Sequence, residues 1–368
     1  MEQKRKTSRR DFLKGRSAAA ALAEVTEGVL GVEDSAEALP SPQPDGYLIQ
    51  LSRRAMACNF EIFLNAGQYP QGTETALAAF DLIELLEDQL SVYREHSELS
   101  HINRAAVEGE VPVEPRLFGL LTDALELTRH TRGAFDITSG RLSDVWGFTR
   151  RAGAIPAPEK IAAALAQTGS QHVSLNEQAG TIRFLQPGIE INLGSIGKGY
   201  ALDRVVEVFR AAGIDDVLLH GGNSSVLASG SKGARAGEGW TVGLRNPLRP
   251  TLRLGEIQLR DRALGTSGSG TQFFVHEGRR FGHIIDPRTG MPSEGVLSAS
   301  AIAPTAAQAD ALATAFYVLG VEGTGELCEK YPDAGAILLT PGEREGTIDV
   351  HTWRVRPGEW RLLSAGSE

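Results

Sequence analysis

The sequence predicts an α+β fold. Apolar residues recur at helical spacing in the first half of the chain, short alternating segments read as strands beyond Gly213, and no regular strand-helix-strand alternation joins them, which argues against a doubly wound parallel sheet. The 368 residues are 41% hydrophobic and 23% charged, enough apolar material for a large core in an ordinary globular protein.

The chain opens on a basic segment. Residues 1–16 carry seven Lys/Arg against two Asp/Glu, and Ser8-Arg9-Arg10-Asp11-Phe12-Leu13-Lys14 reads as a twin-arginine export signal. Ala18 to Leu22 suits a signal core, but Glu24 and Glu27 interrupt the span and Ala36-Glu37-Ala38 is a rough cleavage site. A basic tail on a cytoplasmic protein is the competing reading. No cysteine lies near the signal, so a cysteine-linked lipid anchor is not expected. Residues 1–45 are assigned to signal and linker, with Pro, Gly and Asp at 41–46, and residues 46–368 to one domain.

Within that domain Asn59 to Leu64 alternates as a strand, and 73–90 and 116–131 space Leu, Ile and Phe as helices. A third helix over 196–212 stops at Gly213. Strands are predicted at 216–220, 226–229, 240–245, 255–260, 272–275 and 297–302, helices at 305–319 and 323–331, and a final strand pair after them. There is no internal repeat. A net charge of −9 argues against nucleic acid or an anionic membrane surface as a partner. No stretch is long and apolar enough to cross a bilayer. Cys58 and Cys328 lie far apart without metal-ligand spacing, open to a disulfide or to two buried thiols.

Four segments carry chemistry. Ile191-Asn192-Leu193-Gly194-Ser195-Ile196-Gly197-Lys198-Gly199-Tyr200 breaks from a strand-like run into glycines around a lysine at the start of a helix. Backbone N–H groups there can approach an anion that a Cβ would hold off, so a phosphate cradle and a plain glycine-rich turn are both open. Neither Walker nor dinucleotide-binding glycine spacing is present. Gly282-His283-Ile284-Ile285-Asp286-Pro287-Arg288-Thr289-Gly290 sets a histidine before a turn whose Asp286 fits turn initiation. Asp310 and Thr314 stand one helical turn apart among alanines and leucines, where a buried carboxylate invites a cation. The fourth segment, Gly133-Ala134-Phe135-Asp136-Ile137-Thr138-Ser139-Gly140, leads to Asp144-Val145-Trp146-Gly147-Phe148.

In this order, with Leu90-Ser91-Val92-Tyr93, Ser97-Glu98-Leu99-Ser100-His101-Ile102-Asn103 and Ser267-Gly268, these segments resemble the FAD:protein FMN transferase family, the ApbE-like flavin transferases. The resemblance runs from about Arg54 to about Leu319. It implies a T-fold-related α+β architecture of mixed and antiparallel sheets flanked by helices. It also implies transfer of FMN from FAD to a threonine or serine hydroxyl of an acceptor protein, with Mg²⁺ and release of AMP. The acceptor would be a secreted or membrane-facing protein, such as a subunit of an Rnf-type or sodium-pumping redox complex.

Carried over residue by residue, the resemblance makes His283 the proton acceptor or the orienter of the leaving phosphate. Ser195, Asp310 and Thr314 would supply oxygens to Mg²⁺. Met56, Tyr93, Ala134, Phe135, Asp136, Asn192, Lys198 and Ile285 would contact FAD, with Lys198 beside the phosphates. Tyr93 and Phe135 read on their own as core aromatics. Several positions depart from the family pattern: Asn192 and Asn223 stand where aspartate is common, Met56-Ala57-Cys58 replaces Met-Gly-Thr, and Arg141 replaces proline. An FAD pyrophosphatase and a non-catalytic flavin-binding envelope protein remain as alternative readings.

Overall fold

A computed structural model describes residues 47–149, 153–233, 237–270 and 272–363. The predicted export signal and linker, residues 1–45, lie outside the described residues, which all fall in one compact unit, Asp45–Glu368. The chain runs β1 (Leu48–Ala55), β2 (Cys58–Asn65), α1 (Gly72–Leu90), α2 (Glu98–Ala105), β3 (Val111–Pro112), α3 (Pro115–His130), α4 (Gly140–Val145), α5 (Pro158–Ala166), β4 (Val173–Asn176), β5 (Thr181–Phe184) and α6 (Gly197–Ala211). Then come β6 (Val217–Gly221), β7 (Ser225–Ser229), β8 (Trp240–Arg245), β9 (Arg253–Leu259), β10 (Arg262–Ser267), β11 (Phe273–His276), β12 (Arg279–Gly282), β13 (Ile285–Asp286) and β14 (Met291–Pro292). The chain closes with β15 (Ser298–Ala303), α7 (Ala306–Lys330), β16 (Gly335–Pro341), β17 (Ile348–Trp353) and β18 (Trp360–Leu362).

An eight-stranded sheet in the order β1-β2-β6-β7-β10-β15-β16-β17 forms the centre. Every strand pairing among the described residues is antiparallel, in keeping with the expected α+β fold of mixed and antiparallel sheets flanked by helices. Strands are not confined to the later half, because β1 and β2 pair with each other and β2 then pairs with β6. Both faces of the sheet are covered. Val217 and Leu219 of β6 join the main core with α1, α6 and α7, while Leu218 joins Trp240, Ile257 and Leu339 under the small sheet β18-β9-β8. Burial on both faces explains why β15, Ser-Ala-Ser-Ala-Ile-Ala, is buried at every position.

Small residues let α7 lie close on the sheet. A Cβ at Gly265 of β10 would come 2.3 Å from the carbonyl oxygen of Ala309, and one at Gly199 of α6 would come 2.1 Å from that of Ala306. These contacts bring the N-terminal turns of α6 and α7 together over β7 and β10. Asp203 fixes the junction by accepting hydrogen bonds from Ala306 N and Ala307 N at 2.7 Å and 2.8 Å, at the positive end of α7. The two helices predicted at 305–319 and 323–331 form one assigned element interrupted at Gly320, whose φ of 67° and ψ of −165° are non-helical. Both cysteines are free, Cys58 half-buried and Cys328 buried. Among the described residues no helix is long and apolar enough to cross a membrane.

Candidate functional site

The glycine-rich turn is tied down before it reaches α6. The Asn103 side chain donates to Ile191 O at 2.9 Å and accepts from Ile191 N at 2.8 Å, taking the place of a neighbouring strand. Asn192 Oδ1 then accepts from Gly194 N at 2.8 Å, a local turn bond open to aspartate and asparagine alike. Ser195 is half-buried just before the helix. Lys198 enters on the first turn of α6, and its Nζ donates to Ser224 Oγ in the turn between β6 and β7.

Asp310, on the second turn of α7, is 7% exposed and does not stand alone. Its Oδ2 accepts from Gly199 N at 2.8 Å, and Ser225 Oγ lies 2.7 Å and 2.8 Å from the two carboxylate oxygens. The pairing expected from sequence was a cation; the structure supplies a hydroxyl and a backbone amide first. Burial nonetheless pushes the Asp310 carboxyl up to about 7, against the pull of the Lys198 charge and these two donors. Two donors leave part of a carboxylate's capacity of about four lone-pair sites open. Thr314, one turn on, shares a hydrogen bond with Ser267 Oγ at 3.1 Å and lies 3.3 Å from Asp310 O.

His283 follows the β11–β12 hairpin. Its backbone N donates to Gln272 O, and the same carbonyl lies 3.2 Å from Nδ1. With Nδ1 as that donor, Nε2 is left as the acceptor. Burial lowers the imidazole's affinity for a proton, and the Lys198 charge lowers it further, so the ring is neutral at physiological pH. Phe148 meets it edge-on at 6.4 Å. Asp286 does not reach the histidine. It binds Arg288 through both oxygens at 2.8 Å and accepts from Arg288 N, the turn-forming role its sequence context suggested.

Lys198 links these groups, since its charge acts on Asp310, on His283 and on the Cys58 thiol at the start of β2. The remaining flavin candidates are placed differently. Tyr93 is 75% exposed, a surface ring and not the core aromatic its residue type suggests. Met56 occupies the left-handed region with Ala57, forming the two-residue turn between β1 and β2. Ala134 and Phe135 are 0% and 1% exposed in the main core, which leaves their backbone as the means of touching a ligand. Asp136 is buried and already satisfied by Thr138 N, Thr138 Oγ1, Ser170 N and Ser170 Oγ, stapling its loop to residues 169–170. Ile285 packs with Trp146 and Phe281 in a smaller cluster.

Sequence reading missed Asn103, Asp203, Ser224, Ser225 and Gln272. Asn103 closes one of the segments that carry the family resemblance, though no role was assigned to it, and Ser224-Ser225 carried a local signal as two hydroxyls directly after the Gly221-Gly222-Asn223 turn. Of the departures from the family pattern, Asn223 Oδ1 accepts from Arg245 at 3.0 Å, and Arg141 Nε donates to Gly188 O at 2.6 Å.

Residues 56–338 match the model of the ApbE family. A curated relative named FAD:protein FMN transferase from Salmonella typhimurium is 34% identical over 69% of this chain and 73% of its own length. One of the same name from Treponema pallidum is 33% identical over 72% of this chain and 76% of its own. Among solved structures, the ApbE protein of Thermotoga maritima superposes with a TM-score of 0.73 at 29% identity, covering 82% of this chain and 96% of that one. The apo form of the Pseudomonas stutzeri flavinyl transferase ApbE gives a TM-score of 0.72 at 26% identity, over 83% and 94%.

Proposed function

This chain belongs to the ApbE family and is a flavin transferase, and we propose that it moves FMN from FAD onto a threonine or serine hydroxyl of an acceptor protein, releasing AMP. The observation that carries this reading is the placement of a cationic and a buried carboxylate group together at one glycine-rich turn, with the lysine's charge also acting on the His283 imidazole. The acceptor oxygen attacks the phosphorus on the FMN side of the pyrophosphate, and the bond from that phosphorus to the bridging oxygen breaks, so that AMP leaves with the electron pair. His283 Nε2 takes the hydroxyl proton. Lys198 stabilises the phosphate charge, while the N–H groups of Gly194, Ile196, Gly197 and Gly199 are already bonded within the turn and to Asp310.

The residues present suit Mg²⁺. Asp310, Thr314 and Ser195 offer only hard oxygen donors, and Asp310 is a buried carboxylate with spare acceptor capacity. When bound, the ion would neutralise phosphate charge. Of the expected FAD contacts, Met56 and Tyr93 would act from a turn and an exposed surface position, and Asp136 and Asn192 hold their own loops. Those at Ala134, Phe135 and Ile285 fit as backbone or packing support.

The deciding experiment incubates the protein with FAD, Mg²⁺ and an acceptor domain and weighs the acceptor. An acceptor heavier by one FMN, with AMP in equal amount, is the expected result. AMP and free FMN without an adduct would mark a pyrophosphatase, and unchanged FAD a flavin-binding protein. We also propose export through the twin-arginine route, on the strength of Ser8 to Lys14. Residues 1–45 fused to a reporter should send it to the periplasm, and substituting both Arg9 and Arg10 by Lys should retain it in the cytoplasm.

A further inference from the structure

Ser224 and Ser225 are adjacent hydroxyls that hold opposite charges. Ser224 Oγ accepts from Lys198 Nζ, Ser225 Oγ donates to the Asp310 carboxylate, and the two Oγ atoms are 3.5 Å apart. Among the described residues Lys198 and Asp310 make no direct ion pair, although the lysine is near enough for its charge to act on the carboxylate. Ser225 is 0% exposed, so its hydroxyl is shut off from bulk solvent. A direct pair would spend the ammonium and the carboxylate on each other, leaving neither for phosphate or cation. From this arrangement we infer that Ser224 and Ser225 are positioning residues of the transfer site: Ser225 orients Asp310 for a divalent cation, and Ser224 holds Lys198 toward phosphate and away from Asp310. The inference rests on the cation and phosphate assignments proposed above.

A merely structural Ser225 would satisfy a buried carboxylate and do nothing else, and the two roles separate by measurement. Full-length protein without FAD is titrated with Mn²⁺ as the probe, read by electron paramagnetic resonance, and turnover and FAD KM are measured separately. A hydrogen bond to a charged group is worth enough that Ser225→Ala should weaken Mn²⁺ binding about tenfold or more. FAD KM should change little, and Ser225→Thr, which keeps the hydroxyl, should recover most of the affinity. Ser224→Ala should raise FAD KM and leave Mn²⁺ affinity as it was. Folded Ser225→Ala protein with wild-type Mn²⁺ affinity would overturn the inference, and so would a loss of affinity that tracks a fall in Tm and is not recovered by threonine. If wild-type protein binds no Mn²⁺ and ignores EDTA, the cation reading itself fails. That result overturns the Ser225 half of the inference as well, and the Ser224 half then stands or falls on whether Ser224→Ala raises FAD KM.

Discussion

Lys198 and Asp310 are gripped by the body of the fold, whereas His283 stands at the foot of a two-stranded hairpin. Asp310 takes donors from α6 and β7 while riding on α7, and Lys198, on α6, is tied to the β6–β7 turn. His283 is held by one backbone carbonyl, that of Gln272, and the hairpin before it presents Phe273 and Val275 to solvent. The groups proposed to meet the charge on FAD are thus built into the core, and the group proposed to handle the incoming hydroxyl stands beside an exposed hairpin. Preorganised dipoles and charges gain most from rigidity, because they then need no rearrangement at the moment of reaction.

The largest effect should come from breaking the rigid half. Asp310→Asn is expected to lower turnover by about 10³-fold or more. The fold should survive, because an amide can still accept from Gly199 N and pair with Ser225 Oγ. Burial holds the carboxyl up to about 7, so the neutral amide is easier to bury, and Tm in the absence of metal should equal or exceed that of the wild type. A variant that keeps full turnover would reduce Asp310 to a packing residue.

The hairpin half is tested by His283→Ala, expected to slow AMP release about 10²–10⁴-fold with FAD affinity little changed, since a base acting only on the hydroxyl serves the transition state. Affinity falling in step with rate would place His283 in binding instead. The pH profile sharpens the point. With its proton affinity lowered from 6.5, the neutral imidazole persists to more acid pH, so at saturating Mg²⁺, where Asp310 should stay ionised although its carboxyl otherwise sits up at about 7, the acid limb of kcat/KM should lie below 6.5. Stability follows the same sign: the unfolded chain binds this proton before the native state does, so stability falls as pH drops below 6.5. In His283→Ala that acid loss should be shallower, as read from Tm across pH.

The same division separates what the sequence discloses from what it does not. The strands near 216–220 and 226–229, the helix ending before Gly213 and the break at Gly320 follow from local periodicity and from glycine's access to positive φ. Asp310, Thr314, Lys198 and His283 stand out as candidates because their neighbours in sequence are informative. The partners that position them do not. Ser225 is 85 residues from Asp310, and Asp203 is 103 from Ala306, and no local pattern marks pairs formed only when α7 settles on the sheet. Phe135 shows the converse, since an aromatic in a family motif reads as a ligand contact while the fold spends its ring on the core.

A smaller loss is expected where the rigid half is packed most tightly. Gly199→Ala would push a methyl group to within 2.1 Å of Ala306 O, backbone that cannot swing aside. Separating α6 from α7 should cost about 1–3 kcal/mol in urea unfolding and weaken the Gly199 N bond to Asp310. An unchanged midpoint and unchanged turnover would mean that the helix junction has slack, and that Asp310 is less fixed than its hydrogen bonds imply.

The smallest effect should be a gain. Met56 and Ala57 hold φ of 47° and 59°, both left-handed, in a two-residue turn of the kind that favours asparagine and glycine. A left-handed residue with a Cβ costs about 1–2 kcal/mol, and glycine removes that cost while making the unfolded chain looser by about 0.4–1 kcal/mol. Ala57→Gly should therefore stabilise the protein by roughly 0.8 kcal/mol, the difference between the midpoints of those two terms. Ala57 is exposed, so no packing is lost. Turnover is the more telling readout. Met56 and Cys58 flank the turn, and the Cys58 thiol feels both Lys198 and Asp310. If the rigid half is set by α6, α7 and β7 as argued, relaxing this turn leaves kcat and FAD KM unchanged. A shift in FAD KM would instead make the β1–β2 turn part of the binding surface, held in a strained shape for that purpose.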